Sequence, residues 1–372
     1  MVDCAPADTF VCYLDRRAAR EFDLKRPNVR PVLVDLGESP TLAASADGRR
    51  SVTDLLRLTH AVWQTRPDVF FCPSVYTFFP LPLGLRAVVT IHDTIVERFP
   101  ELTLPRRSAR LFWRAKVRAA LWQATLVLTV SEYAAAEIAT MLGVAPSRIR
   151  IALEAPADAF RPSTPEDDVS GAAERVGIPA GRPWIIYVGG FNPHKNVEAA
   201  VRAHARVARA LGGAAPLLIL VGPLNEDVFH GGLASIRAAI ANEGTEALVR
   251  WAGYVPDDEL RHLYAGAQAL VLPSVAEGFG LPAVEAARCG TPVVATTASP
   301  LPQLLAGGGF FVTPDDLEGL ANALSTLCRD HAARQAMGAV ALERSSRLTW
   351  HRTADAVVAS LREAASGRGP VP

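Results

Sequence analysis

No apolar run in this chain reaches the roughly 20 residues that a membrane-spanning helix needs, and the N-terminus has no basic stretch leading into an apolar one. A soluble protein, or one peripheral to a membrane, is therefore expected. Cysteine is scarce: the five, Cys4, Cys12, Cys72, Cys289 and Cys328, form no C-x-x-C pair and have no neighbouring histidine at zinc-ligand spacing. That excludes a disulfide framework and points to buried thiols in a reducing cytoplasm, with no metal site. Net charge is also lacking, since 38 Lys and Arg balance 38 Asp and Glu. No global field selects nucleic acid, and any contact with a charged surface must be local. A short-period repeat is absent too, which argues against a solenoid.

What is present is length and alternation. At 372 residues, 49% of them hydrophobic, the chain exceeds the size at which one core keeps growing and has enough apolar side chains for two. Short β-branched runs alternate with helical periods, the pattern of parallel sheets covered by helices on both faces. Strands are expected at 10–14, 29–36, 68–72, 87–91, 126–130 and 149–153, then at 184–188, 217–221, 248–252, 269–272, 292–295 and 310–312. Between the two series, Glu154 to Gly181 is rich in Pro, Ala, Asp and Gly without a sustained period and reads as a connection. The expected organisation is α/β with two Rossmann-like domains, 1–163 and 164–348, followed by a C-terminal helix within 349–372 and a frayed Gly/Pro tail.

Three stretches invite chemistry. From Ala269 onward an apolar strand leads through Pro273-Ser274-Val275-Ala276-Glu277-Gly278-Phe279-Gly280-Leu281-Pro282 into a helix bearing Glu285. A strand, a glycine turn and a helix start present free N–H groups at the positive end of the helix, where a phosphate fits. Pro282 suits the first turn because its absent N–H would have no intrahelical partner. Glu277, on the loop, and Glu285, one turn in, are acceptors for a hexose and a ribose on either side of a diphosphate; the plainer alternatives are a cap and a solvated carboxylate.

Tyr187-Val188-Gly189-Gly190-Phe191-Asn192-Pro193-His194-Lys195-Asn196 repeats the strand–turn–helix design. Lysine is rare here, Lys25, Lys116 and Lys195 being the only ones, and Lys195 offers a point charge to a departing diphosphate. The alternative is a solvated lysine beside an Asn196 N-cap. Thr90-Ile91-His92-Asp93 follows a strand in the first half, at the end where open α/β sheets bind ligands. His92 could hydrogen-bond a sugar, or be structural; Asp93 could cap the next segment or orient the imidazole. The Gly253-Tyr254-Val255-Pro256 turn offers backbone at Val255 to a base, or is a plain strand-to-helix turn.

Together these segments resemble the family 4 glycosyltransferases, whose fold is called GT-B. The likeness is carried by Tyr187 to Asn196, Trp251 to Leu260 and Pro273 to Ala286, and extends through Thr90 to Asp93, Phe99 to Glu101 and Thr129 to Glu132. It implies metal-independent, retaining hexosyl transfer from a nucleotide sugar, mannosyl transfer among the closest kinds, to a glycan or lipid-linked acceptor in polysaccharide assembly. By resemblance Glu277 contacts the donor hexose, Glu285 the ribose, Lys195 the diphosphate and His92 the sugar across an interdomain cleft. Backbone amides of Phe279, Gly280 and Leu281 complete the phosphate cradle, Gly189 and Gly190 line it, and the terminal helix crosses back to the first domain.

Two departures stand out. Gly190 occupies a position where many members carry arginine, so phosphate neutralisation leans on Lys195. The chain also opens at what corresponds to the second strand of the family's first domain, so its first sheet is expected to lack a central strand. A truncated or non-catalytic sugar-nucleotide binder and a nucleotide-sugar epimerase are the competing readings. Finally, residues 105–124 interleave Arg106, Arg107, Arg110, Arg114, Lys116 and Arg118 with Leu111, Phe112, Trp113, Leu121 and Trp122. Such a helix either lies on the inner face of an anionic membrane or packs its aromatics inward with its arginines in water.

Overall fold

A computed structural model describes residues 1–21, 24–37, 51–104, 106–224 and 232–367. Pro105 of the basic segment and the tail beyond residue 367 lie outside the described residues. The chain divides into two compact units: Met1–Leu153 with Trp350–Pro372, and Glu154–Thr349. The first division thus falls after Leu153, earlier than the expected 163.

Unit 1 contains β1 (Phe10–Leu14), β2 (Val29–Leu33), β3 (Phe70–Cys72), β4 (Ala87–Thr90), β5 (Leu126–Thr129) and β6 (Ile149–Ile151). β1 and β2 form a parallel pair with Phe10 opposite Val29, while β3-β4-β5-β6 form a separate parallel sheet of four. Among the described residues no ladder joins β1-β2 to β3-β4-β5-β6, so the strands of unit 1 stand in two pieces. Side chains bridge the interruption: the rings of Tyr13 and Phe70 have centroids 6.0 Å apart, in a cluster with Val34, Val62, Phe79 and Trp113.

Helices α1 (Val52–Thr65), α2 (Arg107–Gln123) and α3 (Glu132–Leu142) serve these strands. α1 buries Leu58, Ala61 and Val62 at helical spacing. α3 starts where the Ser131 hydroxyl accepts the Ala134 N–H at 3.0 Å and stops at Gly143 in the left-handed region.

Unit 2 contains β7 (Trp184–Val188), β8 (Leu217–Val221), β9 (Val249–Gly253), β10 (Leu270–Leu272), β11 (Val293–Thr296) and β12 (Gly309–Val312). They form one parallel sheet in the order β12-β11-β10-β7-β8-β9. All five residues of β7 and of β8 are buried, which is why these strands read as unbroken apolar runs. Each such Val, Leu or Ile contributes roughly 1.5–3 kcal/mol by leaving water. The helices are α4 (Val197–Leu211), α5 (Gly232–Glu243), α6 (Asp257–Gly266), α7 (Leu281–Arg288), α8 (Leu317–Arg329) and α9 (His331–Ser345).

The chain moves outward from β7 through β8 to β9, then returns to lay β10 on the other side of β7, with Leu270 opposite Ile186. Loops leaving β7 and β10 therefore diverge at a switch point, the place where open parallel sheets bind ligands.

One expectation needs correction. The stretch read as an aperiodic connection contains a helix, Val169–Arg175, capped by Asp168 accepting the Gly171 N–H at 2.8 Å. It is too short to show a period, and its buried face is only Ala172 and Ala173.

The last helix, α10 (Trp350–Ala365), belongs to unit 1. Its Val357 and Ala364 pack with Val88, Leu126 and Leu128 of β4 and β5, and Glu363 accepts from Arg150 Nε at 2.8 Å. Among the described residues no helix is long and apolar enough to cross a membrane.

Candidate active site

The loops at the carboxyl ends of β7 and β10 bring Lys195 to Glu277. Lys195 Nζ lies 2.7 Å from Glu277 Oε1, and the buried hydroxyl of Ser274 donates to the same oxygen at 2.6 Å. Both donors converge on Oε1, which leaves Oε2 as the acceptor available to a ligand. Glu277 is only 8% exposed, so its charge is held by these partners rather than by water. It does not cap α7, and Asn196 does not cap α4 with its side chain. Asn196 instead sits at φ 51° and sends its amide toward the Pro314 carbonyl at 3.5 Å.

The two loops are tied by backbone, Val275 N–H donating to His194 O at 2.9 Å, and the loop after β11 holds Glu277 in turn, its N–H donating to Ala298 O at 3.0 Å. Gly189 and Gly190 shape the first loop, the Gly190 carbonyl accepting from Tyr187 Oη at 2.5 Å. A side chain at the neighbouring Gly222 would place its Cβ 2.1 Å from the Gly189 carbonyl oxygen, so only glycine lets the turns after β7 and β8 approach this closely.

α7 begins at Gly280, whose φ of 87° turns the chain into the helix. The N–H groups of Phe279, Gly280 and Leu281 make no hydrogen bond among the described residues. This is the free positive end that the sequence pattern calls for. Pro282 stands in the first turn as expected.

Glu285 lies one turn further on, and Tyr264 Oη donates to its Oε2 at 3.1 Å. Burial, opposed by that hydrogen bond and reinforced by the nearby charge of Asp257, raises its pKa to about 7. Asp257 follows the turn that holds Val255, which is buried. The Val255 turn and Glu285 thus share one electrostatic neighbourhood. No direct contact joins Glu285 to Lys195 or Glu277 among the described residues.

His92 stands in unit 1, just beyond β4, half-buried. Burial lowers its pKa, with Asp93 opposing, so the imidazole is neutral at neutral pH. Asp93 Oδ1 accepts the Ile95 N–H at 2.9 Å and so caps the next turn.

Sequence reasoning passed over Ser274, Tyr264 and His194. Burial and the Lys195 ammonium push His194 down to about 4, with Glu277 opposing, and its Nδ1 is buried without a hydrogen-bond partner among the described residues. The adjacency of His194 to the rare lysine was the available signal. For Ser274 and Tyr264 there was none, because each acts through a partner brought near by folding. Folding also gathers Cys4, His351 and Asp355 in unit 1, one ligand atom of each within 4.8 Å of the others, which the local spacing of cysteines concealed. An exposed His351–Asp355 pair one helical turn apart, 3.0 Å between Nδ1 and Oδ2, accounts for most of that group.

Comparison with known proteins supplies the rest. Residues 172–344 match the family model described as Glycosyl transferases group 1, and residues 9–152 match Glycosyltransferase Family 4. O-antigen chain mannosyltransferase B of Escherichia coli is 30% identical over 274 residues, 73% of this chain and 69% of that protein. Among solved structures, sucrose-phosphate synthase from Thermosynechococcus elongatus superposes with a TM-score of 0.72 at 20% identity, covering 93% of this chain and 86% of the other. Anabaena HepE in complex with UDP-glucose gives a TM-score of 0.62 at 20% identity, covering 86% and 77%. These likenesses run through both units, and the chain belongs to the family 4 glycosyltransferases, enzymes of the two-domain GT-B fold.

Proposed function

We propose that the enzyme transfers a hexosyl group, mannosyl being the first choice, from a nucleoside-diphosphate sugar to a glycan or lipid-linked acceptor, with retention at the anomeric carbon. The observation that carries this is the shared Oε1 of Glu277. With Lys195 and Ser274 both on that oxygen, Glu277 is fixed in orientation beside an ammonium group and the open N–H end of α7. A sugar hydroxyl would donate to Oε2, and the diphosphate would lie between Lys195 and the amides of Phe279, Gly280 and Leu281.

As the bond from the anomeric carbon to the diphosphate oxygen breaks, its electron pair stays on the phosphate side. The charge that develops there meets the Lys195 ammonium and the helix start, both already in place. Because this chain supplies that positive charge itself, the proposal calls for no divalent cation. Glu285 would accept from the ribose and the Val255 turn would edge the base. His92 would hydrogen-bond the transferred sugar as a neutral imidazole.

Mannosyl as the group transferred is supported by the Escherichia coli relative, and a sugar nucleotide as donor by the HepE complex. The test is a donor panel of GDP-, UDP- and ADP-sugars with product anomers read by NMR, run beside Glu277→Ala. Transfer with retention that disappears in the variant, while its circular-dichroism spectrum at the assay temperature stays that of the folded parent, is the expected result. Undiminished transfer by Glu277→Ala removes the site assignment.

A further inference from the structure

α2 has one buried face, Ala109, Trp113, Val117 and Ala120, and no acidic residue anywhere along it. Trp113 turns inward, its Nε1 donating to Glu97 at 2.6 Å. Lys116 reaches the Tyr76 carbonyl at 2.8 Å, and Arg110 is engaged by Glu101 at 3.0 Å. The remaining residues are sorted by the helix itself. At 3.6 residues per turn, Arg107, Arg114 and Arg118 fall in one strip, and Leu111, Trp122, Ala115 and Phe112 follow in the strip beside it. Leu111 and Trp122 are each 71% exposed and Phe112 is 41% exposed.

The patch continues beyond the helix. Gln123 holds Leu81 by both of its backbone groups at 2.8 Å, and the loop so held carries Leu83, 84% exposed. Arg107 and Arg118 make no ion pair or hydrogen bond among the described residues. Large apolar side chains this exposed, adjoining three arginines of which one, Arg114, also has the Glu97 carboxylate within electrostatic reach, constitute a surface shaped for something both anionic and apolar.

We propose that this face of α2 is a docking surface for an anionic lipid bilayer. Leu111, Trp122, Phe112 and Leu83 enter the boundary between headgroups and acyl chains, and Arg107, Arg114 and Arg118 lie among the phosphates. A bilayer presents its anionic and apolar layers as parallel planes, which matches two parallel strips on one helix. Tryptophan at such a boundary keeps its ring in the apolar layer and its N–H in the wet one. The surface stands on unit 1 alone, so it and the donor-site reading can fail independently.

The full-length protein is sedimented with sucrose-loaded vesicles of phosphatidylcholine alone or mixed with phosphatidylglycerol. Binding to the anionic vesicles only, weakened by added salt, is expected. The triple variant Arg107→Gln, Arg114→Gln, Arg118→Gln and the double variant Leu111→Ser, Trp122→Ser should each weaken partitioning at least about tenfold. Replacing the exposed Arg202 and Arg206 of unit 2 by Gln should change nothing. All altered side chains are exposed, so circular-dichroism melts should stay near that of the parent. Absence of binding to anionic vesicles, or binding indifferent to both α2 variants, overturns the proposal. So does a dimer in sedimentation velocity that Leu111→Ser, Trp122→Ser dissolves while vesicle binding is absent, since the face would then join two copies of the chain.

Discussion

In unit 2 every described strand is hydrogen-bonded to its neighbour from β12 across to β9, whereas among the described residues of unit 1 no ladder joins β1 to β3. The surfaces differ in the same sense. Among the described residues, the large apolar side chains that stand in water in unit 2 are Leu224 and Tyr254; the others, from Leu33 to Trp122, Met141, Leu153 and Trp350, belong to unit 1. A closed ladder fixes the register of strand ends, and the Lys195 and Glu277 loops inherit that rigidity from β7 and β10. A divided sheet with an apolar exterior fixes less and offers more to outside partners. The donor chemistry proposed here is thus housed in the unit with least freedom, and unit 1 is left to meet larger and more varied ligands.

The contrast is most sharply tested at Lys195. Lys195→Ala should lower kcat by about 10²–10³ by removing one preorganised positive group from the leaving diphosphate, and it strands Glu277, so the melting temperature of unit 2 should drop as well. His92→Ala, in unit 1, should lower transfer about tenfold, the worth of one hydrogen bond, while nucleotide affinity measured by calorimetry stays within error. If His92→Ala abolished nucleotide binding, the donor site would not be self-contained in unit 2.

Hydrogen exchange addresses the sheets directly. Amides of β1 and β2 should exchange about tenfold or more faster than those of β7 and β8, because an isolated parallel pair opens more easily than strands laddered on both sides. Equal protection would remove the distinction in rigidity.

A smaller effect follows from Glu285, whose pKa is raised to about 7. In the proposed role its carboxylate would accept from the ribose, so donor affinity should rise severalfold between about pH 6 and 8, and Glu285→Gln should be flat across that range. Stability runs the other way. A raised folded-state pKa favours the protonated native form, a contribution complete below the ordinary carboxylate range and lost as pH climbs through about 7. The parent should therefore melt lower at pH 8 than at pH 5, with a shallower slope in Glu285→Gln. Least of all should be the effect of EDTA, since the proposed site draws its positive charge from Lys195 and α7; a strict Mg²⁺ requirement would contradict that part of the proposal.

Much of this architecture is legible in the residues. Each strand from β1 to β12 is marked by a β-branched or apolar run, and strand ends differ by a few residues, as at Val34, buried just beyond β2 and still donating its N–H to the Leu14 carbonyl at 2.8 Å. The break in unit 1 is less accessible, since laddering is a relation between distant segments. So is the pairing of Lys195 with Glu277: each lies in a recognisable turn, and only the return of β10 to the side of β7 makes them neighbours. Trp113 and Trp122 teach the same lesson on one helix. Their composition is identical, and it is Glu97 and Tyr76 beneath α2 that decide which indole goes inside.

The attachment of α10 to unit 1 has a consequence for the life of the chain on the ribosome. The residues that cover Val88, Leu126 and Leu128 are made after unit 2, so unit 1 must wait, partly bare, while the whole of unit 2 is synthesised and folds ahead of it. A stop codon just before Trp350 would leave every catalytic group proposed here intact and still yield a sticky, chaperone-dependent product. The final helix is where loss of function by nonsense mutation should look like aggregation.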